Sequence, residues 1–206
     1  MKVLLVNGSS FKERCTYTGL SIIAKTLNEE GIETEIFYLG TKPIQDCIAC
    51  MKCREIGKCV FSNDLVNEFV EKAKDADGFI FGSPVYYAHP SGRLIDFMDR
   101  CFYSGGKNFA FKPAAYISSS RRAGNLTSME VINKYFSINQ MPIVSSTYWN
   151  DIHGYSAEDV MKDEEGVNTM INLAKNMAWL LKCIEAGKQN GIDHPVNTKK
   201  LTNFVR

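Results

Sequence analysis

Residues 1–18 read MKVLLVNGSSFKERCTYT. Val3 to Val6 is an apolar run without alternation, the pattern of a strand buried on both faces of a parallel sheet. Leu20, Ile23, Ala24 and Leu27 then recur at the i, i+3, i+4, i+7 spacing of an amphipathic helix. A strand, a loop rich in hydroxyls and a helix therefore open the chain.

The same unit repeats. Phe79 to Phe81, Ala114 to Ile117 and Ile143 to Ser146 are further apolar runs, and the more polar Thr34 to Tyr38 suits an edge strand. Helical spacing returns at Val66, Phe69, Val70 and Ala73, at Leu94, Phe97, Met98 and Cys101, and at Met170, Leu173, Ala174, Met177 and Leu181. Gly31 is placed to end the first helix, and Ser62-Asn63-Asp64 offers N-cap chemistry for the second. A further helix is expected at about 127–136. Five alternations of strand and helix predict one α/β domain with a five-stranded parallel sheet. It should span residues 1–190, leaving 191–206, polar until Phe204, as a C-terminal arm. Residues 147–167 form a long connection suited to a lid or to subunit contacts.

At 206 residues, 45% hydrophobic and 23% charged, the chain has the composition of an ordinary globular enzyme. Its net charge of +1, with acids and bases mixed throughout, gives no electrostatic reason to expect a nucleic-acid or membrane partner. The short apolar run at the N-terminus lacks a longer hydrophobic region and a cleavage-like site, so a cytoplasmic location is expected. There, clustered thiols bind metal or do redox work more often than they form structural disulfides.

In open α/β sheets ligands sit beyond the carboxyl ends of the strands, and three loops at that edge suit one ligand. NGSSFKERCTYT, residues 7–18, brings Ser9, Ser10, Thr16 and Thr18 to a helix N-terminus, which suits a phosphate. It has neither the glycine fingerprint of a dinucleotide site nor a P-loop, and an ordinary capped turn is the alternative. GSPVYYAHPSG, residues 82–92, offers Pro84, Val85, Tyr86 and Tyr87 as a wall for a planar ring; the alternative is a hydrophobic turn capping the sheet. SSSRRAG, residues 118–124, adds hydroxyls with Arg121 and Arg122, or is a solvated basic turn. Together the three describe a flavin mononucleotide (FMN) site.

On these residues the sequence resembles the NADPH-dependent FMN reductase family, most of all its iron–sulfur flavoprotein branch. GSS with CTYT, GSPVYY with the later SG, and the cysteine run after the second strand carry the resemblance, which extends over residues 1–186. It implies a flavodoxin-like three-layer sandwich with strand order 2-1-3-4-5, bound FMN, NAD(P)H as co-substrate and a homodimer or homotetramer. By the same matching Ser9, Ser10, Cys15, Thr16 and Tyr17 surround the phosphate, while Pro84, Val85, Tyr86 and Tyr87 lie along the ring with Ser119 and its neighbours. Many relatives begin the first loop GSPR; here Ser10 and Phe11 follow Ser9. The helix dipole, backbone amides, Lys12 or Arg14 must then meet the phosphate charge.

Residues 47–59, CIACMKCREIGKC, hold four of the seven cysteines as C-x2-C-x2-C-x5-C. Structural zinc sites set two C-x2-C pairs well apart. This compact run is nearer the ferredoxin pattern for a 4Fe–4S cluster, although its last spacing is longer and Val60 stands where a ferredoxin has proline. The family resemblance assigns Cys47, Cys50, Cys53 and Cys59 to such a cluster; zinc, a thiol/disulfide pair or an empty remnant remain alternatives. The expected activity is transfer of electrons from NAD(P)H or a reduced carrier through FMN to a small-molecule or protein acceptor, with no side-chain nucleophile. The rivals are a pure electron carrier and a non-enzymatic interaction protein built around structural zinc.

Overall fold

Alternate residues of the central strands face two separate cores. In the computed structural model, which describes residues 1–202, β1 (Lys2–Asn7) is flanked by β2 (Glu33–Tyr38) and β3 (Gly78–Tyr86), both parallel to it. β3 pairs in turn with β5 (Ala114–Ser120), and β5 with β6 (Asp151–His153), giving a parallel order β2-β1-β3-β5-β6. A two-residue strand, β4 (His89–Pro90), pairs antiparallel with the end of β3. Leaving β4 aside, the parallel strands follow the expected doubly wound order.

Leu4, Val6, Phe79, Phe81, Ala114 and Tyr116 point into one core, under α3 (Val66–Lys72), α4 (Gly92–Gly105) and α5 (Asn125–Ile138). Val3, Leu5, Ile80, Ala115 and Ile117 point into the other, under α1 (Cys15–Glu29) and the long α7 (Glu164–Gln189). The first core is aromatic: the Phe69 ring lies 5.1 Å from both Phe37 and Phe97 and 6.0 Å from Phe109, centroid to centroid. Such pairs add about 0.5–1.5 kcal/mol each beyond their buried area. Gly31, at φ +79°, ends α1 as expected. Before α3 the Asp64 carboxylate accepts the Val66 N–H at 3.1 Å, but the N-cap position itself is Leu65, which offers no side-chain cap.

Two expectations are corrected. The fifth strand is β6 rather than Ile143–Ser146, because the edge of β5 is shared by two segments. Near 143 the pairing is a single bridge, with Val144 N–H donating to Ala114 O at 2.9 Å. The chain then leaves the sheet and returns at 151–153 to pair with Ser118 to Ser120. The expected connection at 147–167 therefore contains β6, the short α6 (Ala157–Val160) and the start of α7. Secondly, β3 and β5 run on into the stretches read as loops, to Tyr86 and Ser120, because Ser83 and Pro84 pair with Ser118 and Ser119.

After α7, residues 192–202 have no regular structure. The His194 ring stacks on Phe111 at 4.3 Å, and Asn197 donates to Gln140 Oε1 at 2.8 Å. The end of the expected arm, residues 203–206, lies outside the described residues. Among the described residues no helix is long and apolar enough to cross a membrane.

Gly105 closes α4 where it packs on α3, and a Cβ there would overlap the buried Val70 side chain. Because β-branched Val70 cannot swing aside freely, Gly105→Ala should destabilise the protein by about 1–3 kcal/mol. A denaturant midpoint equal to wild type would contradict this packing.

Candidate functional site

The loop after β1 is shaped by a buried side chain. Asn7 Oδ1 accepts the Ser9 N–H at 3.1 Å and its Nδ2 donates to Lys12 O at 3.1 Å, which curls residues 8–12 over the strand end. Ser9 Oγ accepts the Phe11 N–H at 3.1 Å. Ser10 is held from three sides: its N–H donates to the Tyr86 hydroxyl at 3.3 Å, its carbonyl accepts from the Tyr38 hydroxyl at 2.8 Å, and its Oγ accepts from Arg93 at 3.3 Å. α1 then starts behind Arg14 with no side-chain cap. Its first-turn amides and dipole are thus left for an anion.

Four segments line one cleft at this edge. The first loop and α1 contribute Ser9, Phe11, Arg14, Cys15 and Thr16; β3 contributes Pro84, Val85 and Tyr86; β5 contributes Ser119 and Ser120, followed by Arg121; and Gly154 with Tyr155 follow β6. Thr16 Oγ1 and Ser119 Oγ, both buried, are hydrogen-bonded at 2.8 Å and tie α1 to β5. The Arg14 guanidinium sits 4.4 Å from the Phe11 ring centroid and 5.6 Å from that of Tyr155. Gly124, at φ +95°, lets the turn after Arg121 approach Val85, whose Cγ1 would lie 2.7 Å from a Cβ there.

The Cys15 thiol donates to Gly154 O at 3.4 Å, and burial pushes its pKa up. That environment favours the protonated thiol, which packs against the turn after β6. Ser120 Oγ donates to Asn125 Oδ1 at 2.7 Å, so its 3.2 Å contact with His153 Nδ1 has the ring N–H donating to the serine. His153 is partly exposed, so this contact links the cleft wall to solvent.

Of the expected flavin-site residues, Ser9, Cys15, Thr16, Pro84, Val85, Tyr86, Ser119 and Arg121 line the cleft, and Ser10, Tyr17, Thr18, Tyr87 and Arg122 do not. Ser10 braces the loop from behind. The Thr18 hydroxyl is committed to Arg14 O at 3.2 Å. Tyr87, at φ +62°, is the fully exposed tip of the β3–β4 hairpin. Phe11 and Ser120 fell within the stretches expected to hold the ligand, whereas Asn7 as the residue that shapes the loop, Gly154 and Tyr155 were not anticipated. Ser120 belonged to the visible SSS run; Gly154 and Tyr155 lie in the segment read as a connection and carry no local signal.

Cys47, Cys50, Cys53 and Cys59 line one small pocket, walled by Ile48, Val60, Phe61, Arg100 and Tyr103. α2 (Cys53–Ile56) is a single turn ending at Gly57, which adopts φ +72°. Ala49 and Met51, on either side of Cys50, adopt left-handed φ of +51° and +61°, a conformation uncommon outside glycine. Cys53 Sγ approaches Tyr103 O at 3.7 Å, and Cys59 is pinned by Asn67, which exchanges 2.9 Å bonds with both its N–H and its carbonyl. Among the described residues no three His, Cys, Asp or Glu side chains close around a point as a finished metal site. Four thiols on one apolar-walled pocket, none in a disulfide, are nevertheless a donor set that fits a thiolate-ligated cluster. The uncapped start of α1 likewise fits a phosphate.

Comparison with known proteins agrees with this geometry. The sequence model of a family described as NADPH-dependent FMN reductase matches residues 1–155. A protein named iron-sulfur flavoprotein from Methanocaldococcus jannaschii is 34% identical over 196 residues, covering 90% of this chain and all of its own. Another of that name from Methanosarcina thermophila is 28% identical, covering 91% of this chain and 99% of its own. Among solved structures, a WrbA-like flavodoxin from Agrobacterium tumefaciens superposes with a TM-score of 0.61 at 13% identity, covering 88% of this chain and 97% of its own. RosB, solved with a riboflavin-phosphate derivative, gives 0.69 at 14% identity, covering 100% of this chain and 94% of its own. Such likeness at low identity establishes the flavodoxin-like fold.

If the cleft holds a flavin phosphate at the start of α1, replacing Ser9 and Thr16 together by Glu should abolish flavin retention through charge repulsion and lost hydrogen bonds. The shape-conserving Thr16→Val should weaken binding about tenfold, since Ser119 loses its partner. Wild-type flavin content in folded double mutant, measured by absorbance after gel filtration, would refute the placement.

Proposed function

Because the chain belongs to the NADPH-dependent FMN reductase family, we propose that it is an FMN-dependent oxidoreductase that takes electrons from NAD(P)H or a reduced carrier. It passes them to a small-molecule or protein acceptor, with a 4Fe–4S cluster held by Cys47, Cys50, Cys53 and Cys59. The observation that supports this reading is that one chain presents two separate sites of different chemistry. The cleft over α1 suits a phosphorylated ring and the pocket of four thiols suits a cluster; α4 lines the pocket with Arg100, while its N-cap Ser91 and Arg93 brace the loop behind the cleft at Gly8 and Ser10. When bound, FMN supplies two-electron exchange and a 4Fe–4S cluster single-electron exchange.

The chain's own work is to bind, orient and move protons. The first-turn amides of α1 with Ser9 and Thr16 take the phosphate, and Arg14 takes over the charge that an arginine after Gly-Ser-Pro supplies in relatives. Pro84, Val85 and Tyr86 form the wall for the ring, with Ser119 and Ser120 at its polar side. Arg121, exposed at the rim, meets the negative charge that a reduced ring carries or the phosphates of an incoming nicotinamide donor. The His153 Nδ1–H held at Ser120 Oγ gives a proton route between solvent and the cleft. In this reading the protein works in the cytoplasm as a homodimer or homotetramer, with neither nucleic acid nor membrane as partner.

Mixing FMN-loaded protein anaerobically with NADPH or NADH tests the reading. Bleaching of the flavin band is expected, slowed about tenfold or more by Arg121→Ala through loss of a charge-assisted contact, and unaffected by Arg122→Ala. If neither nucleotide bleaches a flavin that dithionite reduces, the protein is a carrier and the reductase reading fails.

A further inference from the structure

Arg100 is a charged side chain only 1% exposed, on the inner face of α4 beside Met98 and Cys101. Its neighbours account for every nitrogen. Nη1 and Nη2 bind the Asp64 carboxylate, itself nearly buried, and the two also donate to the carbonyls of Gln45 and Phe61, each at 3.1 Å. The Phe61 ring lies 5.2 Å below the guanidinium. The remaining donor, Nε–H, points at Cys59 Sγ at 3.2 Å. An arginine needed only to neutralise Asp64 would not have to spend its last N–H on a sulfur, and neutral packing would fill this space at less cost than a buried ion pair.

We propose that Arg100 is a positioning residue for the four-cysteine site: its Nε–H hydrogen bond orients Cys59 toward the pocket and makes the bound cluster easier to reduce. The inference rests on the cluster reading of those cysteines given above. Hydrogen bonds to cluster and cysteinyl sulfurs withdraw electron density, and they stabilise the more negative reduced state over the oxidised one. A fixed cation at the same place acts in the same direction. The flat guanidinium is suited to this task. Its two terminal nitrogens lock residues 45, 61 and 64 of the loop, so Nε is held in place by bonds that do not involve the sulfur. Lysine has one nitrogen and cannot satisfy the carboxylate, both carbonyls and the sulfur together.

The test is the midpoint potential of the cluster in anaerobically reconstituted, FMN-loaded protein, read by spectroelectrochemistry. Removing Arg100 alone strands the Asp64 carboxylate, so the main variant is the double substitution Arg100→Met with Asp64→Asn. It removes one charge of each sign, and Asn keeps an oxygen for the Val66 N–H. The expected result is retained FMN and iron with a potential shifted to more negative values, whereas a purely structural role would leave the potential of a folded, loaded variant unmoved. Should the double variant lose its flavin and so prove unfolded, Arg100→Lys carries the test. It keeps the charge, and its cluster should still be harder to reduce than that of wild type. A wild-type potential in either folded variant overturns the role of Arg100 while leaving the cluster reading intact. A wild-type protein that takes up no iron overturns both.

Discussion

A guanidinium taken out of water costs several kcal/mol unless its charge and all its donors are met. The burial of Arg100 therefore constrains everything around it. The segment from Gln45 to Asp64 has one four-residue helix and few buried hydrophobic side chains, so packing alone gives it little definition. It takes its shape from outside, by surrendering two backbone carbonyls, a carboxylate and a cysteine sulfur to a residue of α4. Asn67 of α3 closes the same loop from the other side.

α4 carries this constraint to the loop behind the cleft. Ser91 caps the helix by accepting the Leu94 N–H at 3.4 Å and donates its own proton to Gly8 O at 2.8 Å. Arg93 holds Ser10 in the loop after β1. Arg93 and Arg100 are seven positions apart, about 10 Å along a helix, so one rigid element braces the loop at the cleft and the loop of the thiols. The bond from Ser10 to the Tyr86 hydroxyl ties the first loop to the end of β3, and the Thr16–Ser119 bond ties α1 to β5.

Much of this was legible in the sequence, and the parts that were not share a cause. Val3 to Val6, Phe79 to Phe81 and Ala114 to Ile117 announced themselves because a strand buried on both faces has no room for polar residues. β6 did not, since only Ile152 of its three residues is buried and its identity as a strand comes from its partner Ser118–Ser120. Ser83 and Pro84 read as a loop for the same reason: their extended form is imposed by β5. Ser9 and Thr16 were visible as hydroxyls near a helix start, but Asn7, which bends the loop, stood only as the first residue of that stretch, with nothing local to show that its side chain is buried. Arg100 was invisible. A basic residue beside an apolar stripe normally faces water, and nothing local marks one whose counter-charge, Asp64, lies 36 positions earlier.

The central claim is that this chain holds both a flavin and an iron–sulfur cluster. Anaerobic reconstitution with iron and sulfide, followed by counting iron and FMN per chain in wild type and in Cys50→Ser, tests it most directly. The account predicts about four irons for a 4Fe–4S centre beside about one FMN, with iron lost and FMN kept in the variant. Folded, FMN-loaded wild type that takes up no iron, or that binds a single zinc in its place, would contradict it.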